Sequence, residues 1–173
     1  MIKMIATDID GTILKHDFTF NDKVIKCIKD LKQQGIKIIL ITGRMHKCTT
    51  FIAKELGLEH MPMVSYQGGL VMQDDKILYE KNLNSKYAKE IIEFAQNNHI
   101  HANLYMNDEL YVEKDDKEIR QYTDERKINY HVVNFRDLEL ERINKILFID
   151  FDNAQRVTEY QEILSKQYPD LHI

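Results

Sequence analysis

The sequence predicts an α/β fold, a partial doubly wound sheet followed by an α+β module. Three observations carry this. An apolar run, Ile2 to Ile9, ends in acids. A nearly continuous β-branched run, Ile36 to Ile41, follows about one helix later. The stretch between them repeats its apolar residues at helical spacing, and two parallel strands joined by a helix make a right-handed βαβ unit.

Taken in order, Ile2 to Ile9 reads as a buried strand. Asn21 can cap a helix whose apolar residues are Val24, Ile25, Ile28 and Leu31, with Gly35 just past its end. Ile36-Lys37-Ile38-Ile39-Leu40-Ile41 is a strand expected to be covered on both faces. A second helix turns Phe51, Ile52 and Leu56 inward and stops at Gly57. Met61 to Tyr66 is a third, short strand. Around Asn82 the pattern changes, which divides the chain into residues 1–81 and 82–173.

The second part opens with a helix capped by Asn84 or Ser85 and carrying Tyr87, Ala88, Ile91, Ile92 and Ala95 inward. His101 to Met106 and Glu109 to Glu113 flank an Asn107-Asp108 turn, a hairpin signal. A polar helix from about Asp116 to Lys127, a strand near His131 to Val133 and a strand from Lys145 to Phe151 follow. The last helix sets Val157, Tyr160 and Leu164 on one face, and Pro169 ends it.

Composition excludes several classes. The 173 residues carry 24 Lys+Arg against 28 Asp+Glu, a formal charge of −4, which argues against a nucleic-acid binder. No apolar run approaches the roughly 20 residues of a membrane helix, and an acid appears too early for a signal peptide. Two cysteines, Cys27 and Cys48, make no disulfide framework and suit a reducing cytoplasm. Neither has an activating neighbour in the sequence.

Chemistry concentrates at two strand ends. Asp8-Ile9-Asp10-Gly11-Thr12 closes the first strand, and ligands of open α/β sheets bind beyond that end. If strand geometry persists through Asp10, residues i and i+2 share a side and the two carboxylates converge. Such a pair can hold a hard cation such as Mg²⁺, or divide labour between nucleophilic attack and proton transfer. Ile41-Thr42-Gly43-Arg44 closes the neighbouring strand, about 4.8 Å away. Its hydroxyl, its backbone N–H groups and the helix beyond suit a phosphate. An EF-hand fails, because Gly11 is fourth from Asp8 and Thr19 occupies the twelfth position. Carboxylates at i and i+2 also lack the separation of a glycosidase pair.

The hydrophobic strand, then Asp-x-Asp-Gly-Thr, then a strand ending in Thr-Gly-Arg, resembles the haloacid dehalogenase-like phosphohydrolases. The later module, with its opening helix and hairpin, looks like the large α+β cap of the Cof-type subfamily. The resemblance implies a Mg²⁺-dependent phosphatase of small phosphorylated metabolites, with a cap closing over the site. Asp8 would form an aspartyl-phosphate and Asp10 would act as acid and then base. The phosphoryl group and substrate would be held by Gly11, Thr12, Thr42, Gly43, Arg44, Gln67 and Gly68. Mg²⁺ would be bound by the Asp8 carboxylate and the Asp10 carbonyl. The family more often has Asn where Gln67 stands. A lysine and a Gly-Asp-x-x-Asn-Asp-like segment, which the family places after the cap, have no match here. The 173 residues alone are therefore expected to be feeble as a phosphatase, and the first strand to lie at an exposed edge that invites self-association. A phosphomutase, or a non-catalytic binding or assembly fragment, are the alternatives. His99, His101 and His131 suggest a metal cluster only weakly. Tyr105, Tyr111 and Tyr122 are expected to pack the second sheet. The charged run Glu113 to Glu118 reads as a solvated turn and helix start.

Overall fold

The computed structural model describes residues 2–124 and 128–173. Contacts divide the chain into two compact units, Met1–Asn82 and Leu83–Ile173.

The first unit is built on five strands, β1 (Met4–Thr7), β2 (Lys37–Ile41), β3 (Met63–Ser65), β4 (Leu70–Gln73) and β5 (Lys76–Glu80), ordered as numbered. The first three run parallel; β4 and β5 form an antiparallel hairpin. Helix α1 (Asp22–Gln33) links β1 to β2, and α2 (His46–Glu55) links β2 to β3. Asn21 caps α1, its side chain accepting from the Lys23 N–H at 3.1 Å. Ile28 of α1 and Ile52 and Ala53 of α2 join Ile38, Leu40 and Met63 of the sheet in one buried cluster.

That cluster lies on one face only, and here two expectations fail. Strands stepping in a single direction through crossovers of one hand receive both helices on the same side. The opposite face of β2 therefore stays open: Ile38 and Leu40 are buried, while Lys37 and Ile41 are exposed. Phe51 also points outward, 65% exposed. Each helical residue turns about 100°, and the buried set of α2, Thr49, Ile52 and Ala53, leaves position 51 outside it. The first strand is shorter than its apolar run, and β1 is an edge with Ile2 and Met4 exposed. The β4–β5 hairpin was not legible. Its connection is Asp74-Asp75, with Asp74 at φ 51°, a turn without the usual glycine.

The second unit has a four-stranded sheet of β6 (His101–Met106), β7 (Glu109–Val112), β8 (His131–Val132) and β9 (Ile143–Ile149), in the order β8-β7-β6-β9. Its helices are α3 (Ser85–Asn97), α4 (Lys117–Asp124) and α5 (Ala154–Gln167). Asn84 is the cap of α3. Asn107 and Asp108 both take left-handed φ and close the β6–β7 hairpin. β9 begins and ends two residues earlier than its apolar pattern, because its register pairs Ile143 with Met106 and Ile149 with His101. The expected polar helix ends within the described residues at Asp124; its last positions, 125–127, lie outside them.

Side chains of the charged run do more than solvate a turn. Glu113 accepts from Gln96 Nε2 at 2.9 Å. Arg120, with a contribution from the Tyr130 hydroxyl, holds the Asp115 carboxyl down at about 2. Among the described residues the histidines build no metal cluster: His101 lies between Asp116 (2.9 Å) and Asn103 (2.8 Å), and His131 stands 3.8 Å from Glu109. Tyr105 is buried, its hydroxyl donating to Tyr122 at 2.8 Å.

Burial, then a hydrogen bond donated to Glu90 at 2.7 Å, pushes the Tyr168 hydroxyl up to about 12. A folded value above the unfolded one near 10 favours the fold fully below pH ~10, and that contribution is lost as pH rises through about 12. Tyr168→Phe is expected to flatten the alkaline limb of stability, measured by urea titration between pH 9 and 12. An unchanged limb would refute this linkage.

Candidate active site

The carboxyl ends of β1 and β2 meet at one rim of the first sheet, since Thr7 registers with Leu40. Beyond Thr7 the chain alternates by burial: Asp8 is exposed, Ile9 is 0% exposed and Asp10 is exposed again. Ile9 anchors this alternation. Its carbonyl accepts from the N–H groups of Thr12, Ile13 and Leu14 at 3.3, 2.9 and 2.9 Å. Gly11 turns the chain at φ +74°, a conformation that L side chains rarely adopt. Both acids are therefore exposed on either side of buried Ile9, although the strand β1 itself ends at Thr7.

The two acids are not equivalent. Among the described residues, no hydrogen bond or ion pair reaches the Asp8 carboxylate. Asp10, by contrast, is gripped by Arg44, with Nε at 2.9 Å from Oδ2 and Nη2 at 2.5 Å from Oδ1. Such a bidentate pair is among the stronger and more directional polar contacts. The Arg44 side chain is only 15% exposed, and its guanidinium lies 5.6 Å from the centre of the Phe18 ring. It is not a solvated residue at a helix start.

Thr42 is buried, and its Oγ1 accepts from the Arg44 N–H at 3.2 Å in a local turn. It does not cap α2, whose N-cap position is Met45. The segment Thr42-Gly43-Arg44 is tied to the turn after β3: Gln67 N–H donates to Thr42 O at 2.9 Å, and Tyr66 N–H to Arg44 O at 3.0 Å. Gly43 lets the two segments approach closely: a Cβ there would meet Gln67 Cγ at 3.3 Å, and the Gln67 side chain would have to shift by a few tenths of an ångström. Tyr66, Gln67 and Gly68 all take positive φ, 51°, 54° and 98°. Two consecutive non-glycine residues in that region store backbone strain, and such strain gathers at functional sites.

The rim thus joins Asp10 to Arg44, and Thr42, Gly43 and Arg44 to Tyr66 and Gln67. Two neighbours had no sequence signal. Phe18 reaches Arg44 from a loop. His46, buried at the start of α2, lies between Ser65 Oγ (3.3 Å) and Thr50 Oγ1 (3.4 Å).

Residues 5–173 match the family model of haloacid dehalogenase-like hydrolases. The chain belongs to this family. A Haemophilus influenzae relative is 26% identical over 171 residues, 98% of this chain and 62% of its own. A glucosyl-3-phosphoglycerate/mannosyl-3-phosphoglycerate phosphatase from Persephonella marina is 27% identical over 157 residues, 90% of this chain and 51% of its own. A Thermotoga maritima crystal structure superposes with a TM-score of 0.82 at 28% identity, covering 99% of this chain and 64% of that one. This haloacid dehalogenase-like chain therefore spans between about half and two thirds of the length of these relatives.

Within this hydrolase fold, the donors at the rim suit a hard cation. The Asp8 carboxylate and the Asp10 carbonyl offer oxygen atoms of the kind Mg²⁺ takes, and Mg²⁺ commonly uses one or two carboxylates and completes its shell with water and substrate phosphate; among the described residues no group of three or more His, Cys, Asp or Glu gathers into a metal site. The Asp10 carboxylate, already occupied by Arg44, is the less available of the two acids.

Proposed function

We propose that the chain carries the nucleophile of a Mg²⁺-dependent phosphatase that acts on small phosphorylated metabolites in the cytoplasm. The observation that carries this reading is the inequality of the two acids: Asp8 exposed and without a partner among the described residues, Asp10 held two positions on. An Asp8 oxygen attacks phosphorus and the P–O bond to the substrate alcohol breaks. The leaving oxygen takes its proton from Asp10, and an aspartyl-phosphate remains on Asp8. Water then attacks phosphorus while giving a proton to Asp10, which releases phosphate and restores Asp8. Thr42, Gly43, Gly11, Thr12, Gln67 and Gly68 hold the phosphoryl oxygens and the substrate through hydroxyl, amide and backbone N–H groups. The Asp8 carboxylate and the Asp10 carbonyl would hold Mg²⁺, which when bound would neutralise charge on the transferring group. The Persephonella marina relative, named for phosphorylated glycosyl glycerates, supports the substrate class. No helix among the described residues is long and apolar enough to cross a membrane.

The test is a screen of phosphate esters for Mg²⁺-dependent phosphate release, with an acyl-phosphate trapped from labelled substrate and Asp8→Asn as control. Release that survives chelation of Mg²⁺, or label that persists on the Asp8→Asn variant, would refute the mechanism. The 173-residue polypeptide alone is proposed to turn over slowly, because the lysine and acidic segment of the family have no match in it.

Self-association through β1 is proposed on separate grounds. β1 is an edge strand whose unpaired backbone groups run beside exposed Ile2 and Met4. The 173-residue polypeptide is expected to show a concentration-dependent mass by light scattering, and Met4→Lys to reduce it. A monomer at every concentration would refute the pairing.

A further inference from the structure

Resting on the aspartyl-phosphate reading, we propose that Arg44 and Phe18 form a buttress that fixes the Asp10 carboxylate, so that Arg44 serves the proton transfer and does not grip the phosphoryl group. Three loops converge to build it. Asp10 sits on the Gly11 turn with its side chain half exposed, where a carboxylate by itself would sample several rotamers. Arg44 spends Nε and Nη2 on the two Asp10 oxygens, one each. Its backbone is pinned on both sides, the N–H donating to Thr42 Oγ1 and the carbonyl accepting from Tyr66.

Phe18 supplies the third member. Its ring lies near the guanidinium at 5.6 Å, a cation–π contact. Phe18 itself takes φ 60°, an uncommon conformation for a bulky residue. The surrounding turn is locked: Lys15 N–H donates to Thr19 O at 2.9 Å and Phe18 N–H to Lys15 O at 3.0 Å. Asp17 Oδ1 accepts from both the backbone and the hydroxyl of Thr19, at 3.0 and 2.6 Å. A strained aromatic held in this way presents a fixed wall against which the arginine is set. Arg44 and Phe18 are positioning residues, and the group they position is the acid that protonates the leaving alcohol.

Leaving-group chemistry tests the assignment on the protein. A simple alkyl phosphate needs its leaving oxygen protonated, whereas p-nitrophenyl phosphate releases a stable phenolate. Arg44→Met is expected to lower kcat about 100-fold on the alkyl ester and only a few-fold on the aryl ester, with KM little changed on both. Arg44→Lys keeps the charge without the bidentate geometry and should fall between. Phe18→Leu should show the same bias at about 10-fold, and it carries the test should Arg44→Met fail to fold. Equal losses on the two esters, or a rise in KM at unchanged kcat, would overturn the proposal and assign Arg44 to the phosphoryl group. Failure of the underlying mechanism has a different signature: Asp8→Asn would then still turn over both esters.

Discussion

Asp8→Asn is expected to lower phosphate release by at least ~10⁴-fold, with no phosphoryl label retained on the protein. An amide of the same size keeps the shape of the rim but removes the proposed nucleophilic oxygen. Asp10 is held by Arg44 in a different place, two positions further along the chain. Asp10→Asn should behave differently. Chemistry without a general acid and base is expected to slow by about 10²–10³-fold. Any aspartyl-phosphate that does form on Asp8 should then persist, because the base that activates water is gone. Rapid quench with labelled substrate separates the two: no label for Asp8→Asn, lingering label for Asp10→Asn. A variant pair that behaved alike, both slow and both unlabelled, would remove the division of roles drawn from their unequal surroundings.

Much of this rim could be read from local sequence because its logic is local. The i and i+2 acids depend only on the alternation about Ile9, and the caps at Asn21 and Asn84 on side chains that reach N–H groups two residues away. What escaped depends on partners far along the chain. Asp10 and Arg44 are 34 residues apart, and nothing in either segment specifies that the guanidinium turns to the acid. The open face of β2 follows from which side both helices take, whereas the run Ile36 to Ile41 records only that the strand is apolar. Phe51 has a related cause: beside Ile52 it reads as core, and only the direction of α2 against the sheet sends it to solvent. The β9 register was set by β6, so its apolar pattern alone placed it two residues late.

Ile9→Ala is expected to be the most destabilising single change at the site, costing about 2–5 kcal/mol in the first unit. The side chain is fully buried in the cluster formed with Ile13, Leu14, Ile38 and Leu40, so truncation removes apolar contact and leaves a cavity that backbone hydrogen bonds on the Ile9 carbonyl prevent from collapsing. Ile9→Val removes a single methylene and should cost about 1 kcal/mol. Phe51→Ala, a larger truncation at an exposed position, should stay within about 0.5 kcal/mol. Urea titration of the three variants orders them. The same series bears on catalysis, since Ile9 is the peg between the two acids. Loosening it shifts both carboxylates, and a misplacement of about 1 Å can cost about 10²-fold in rate. Ile9→Val should therefore lose more activity than its small stability change explains, assayed under conditions where it remains folded. If its activity matched the wild type, burial of Ile9 would serve the core alone, and the alignment of Asp8 and Asp10 would have to come from the turn at Gly11 and the clasp of Arg44.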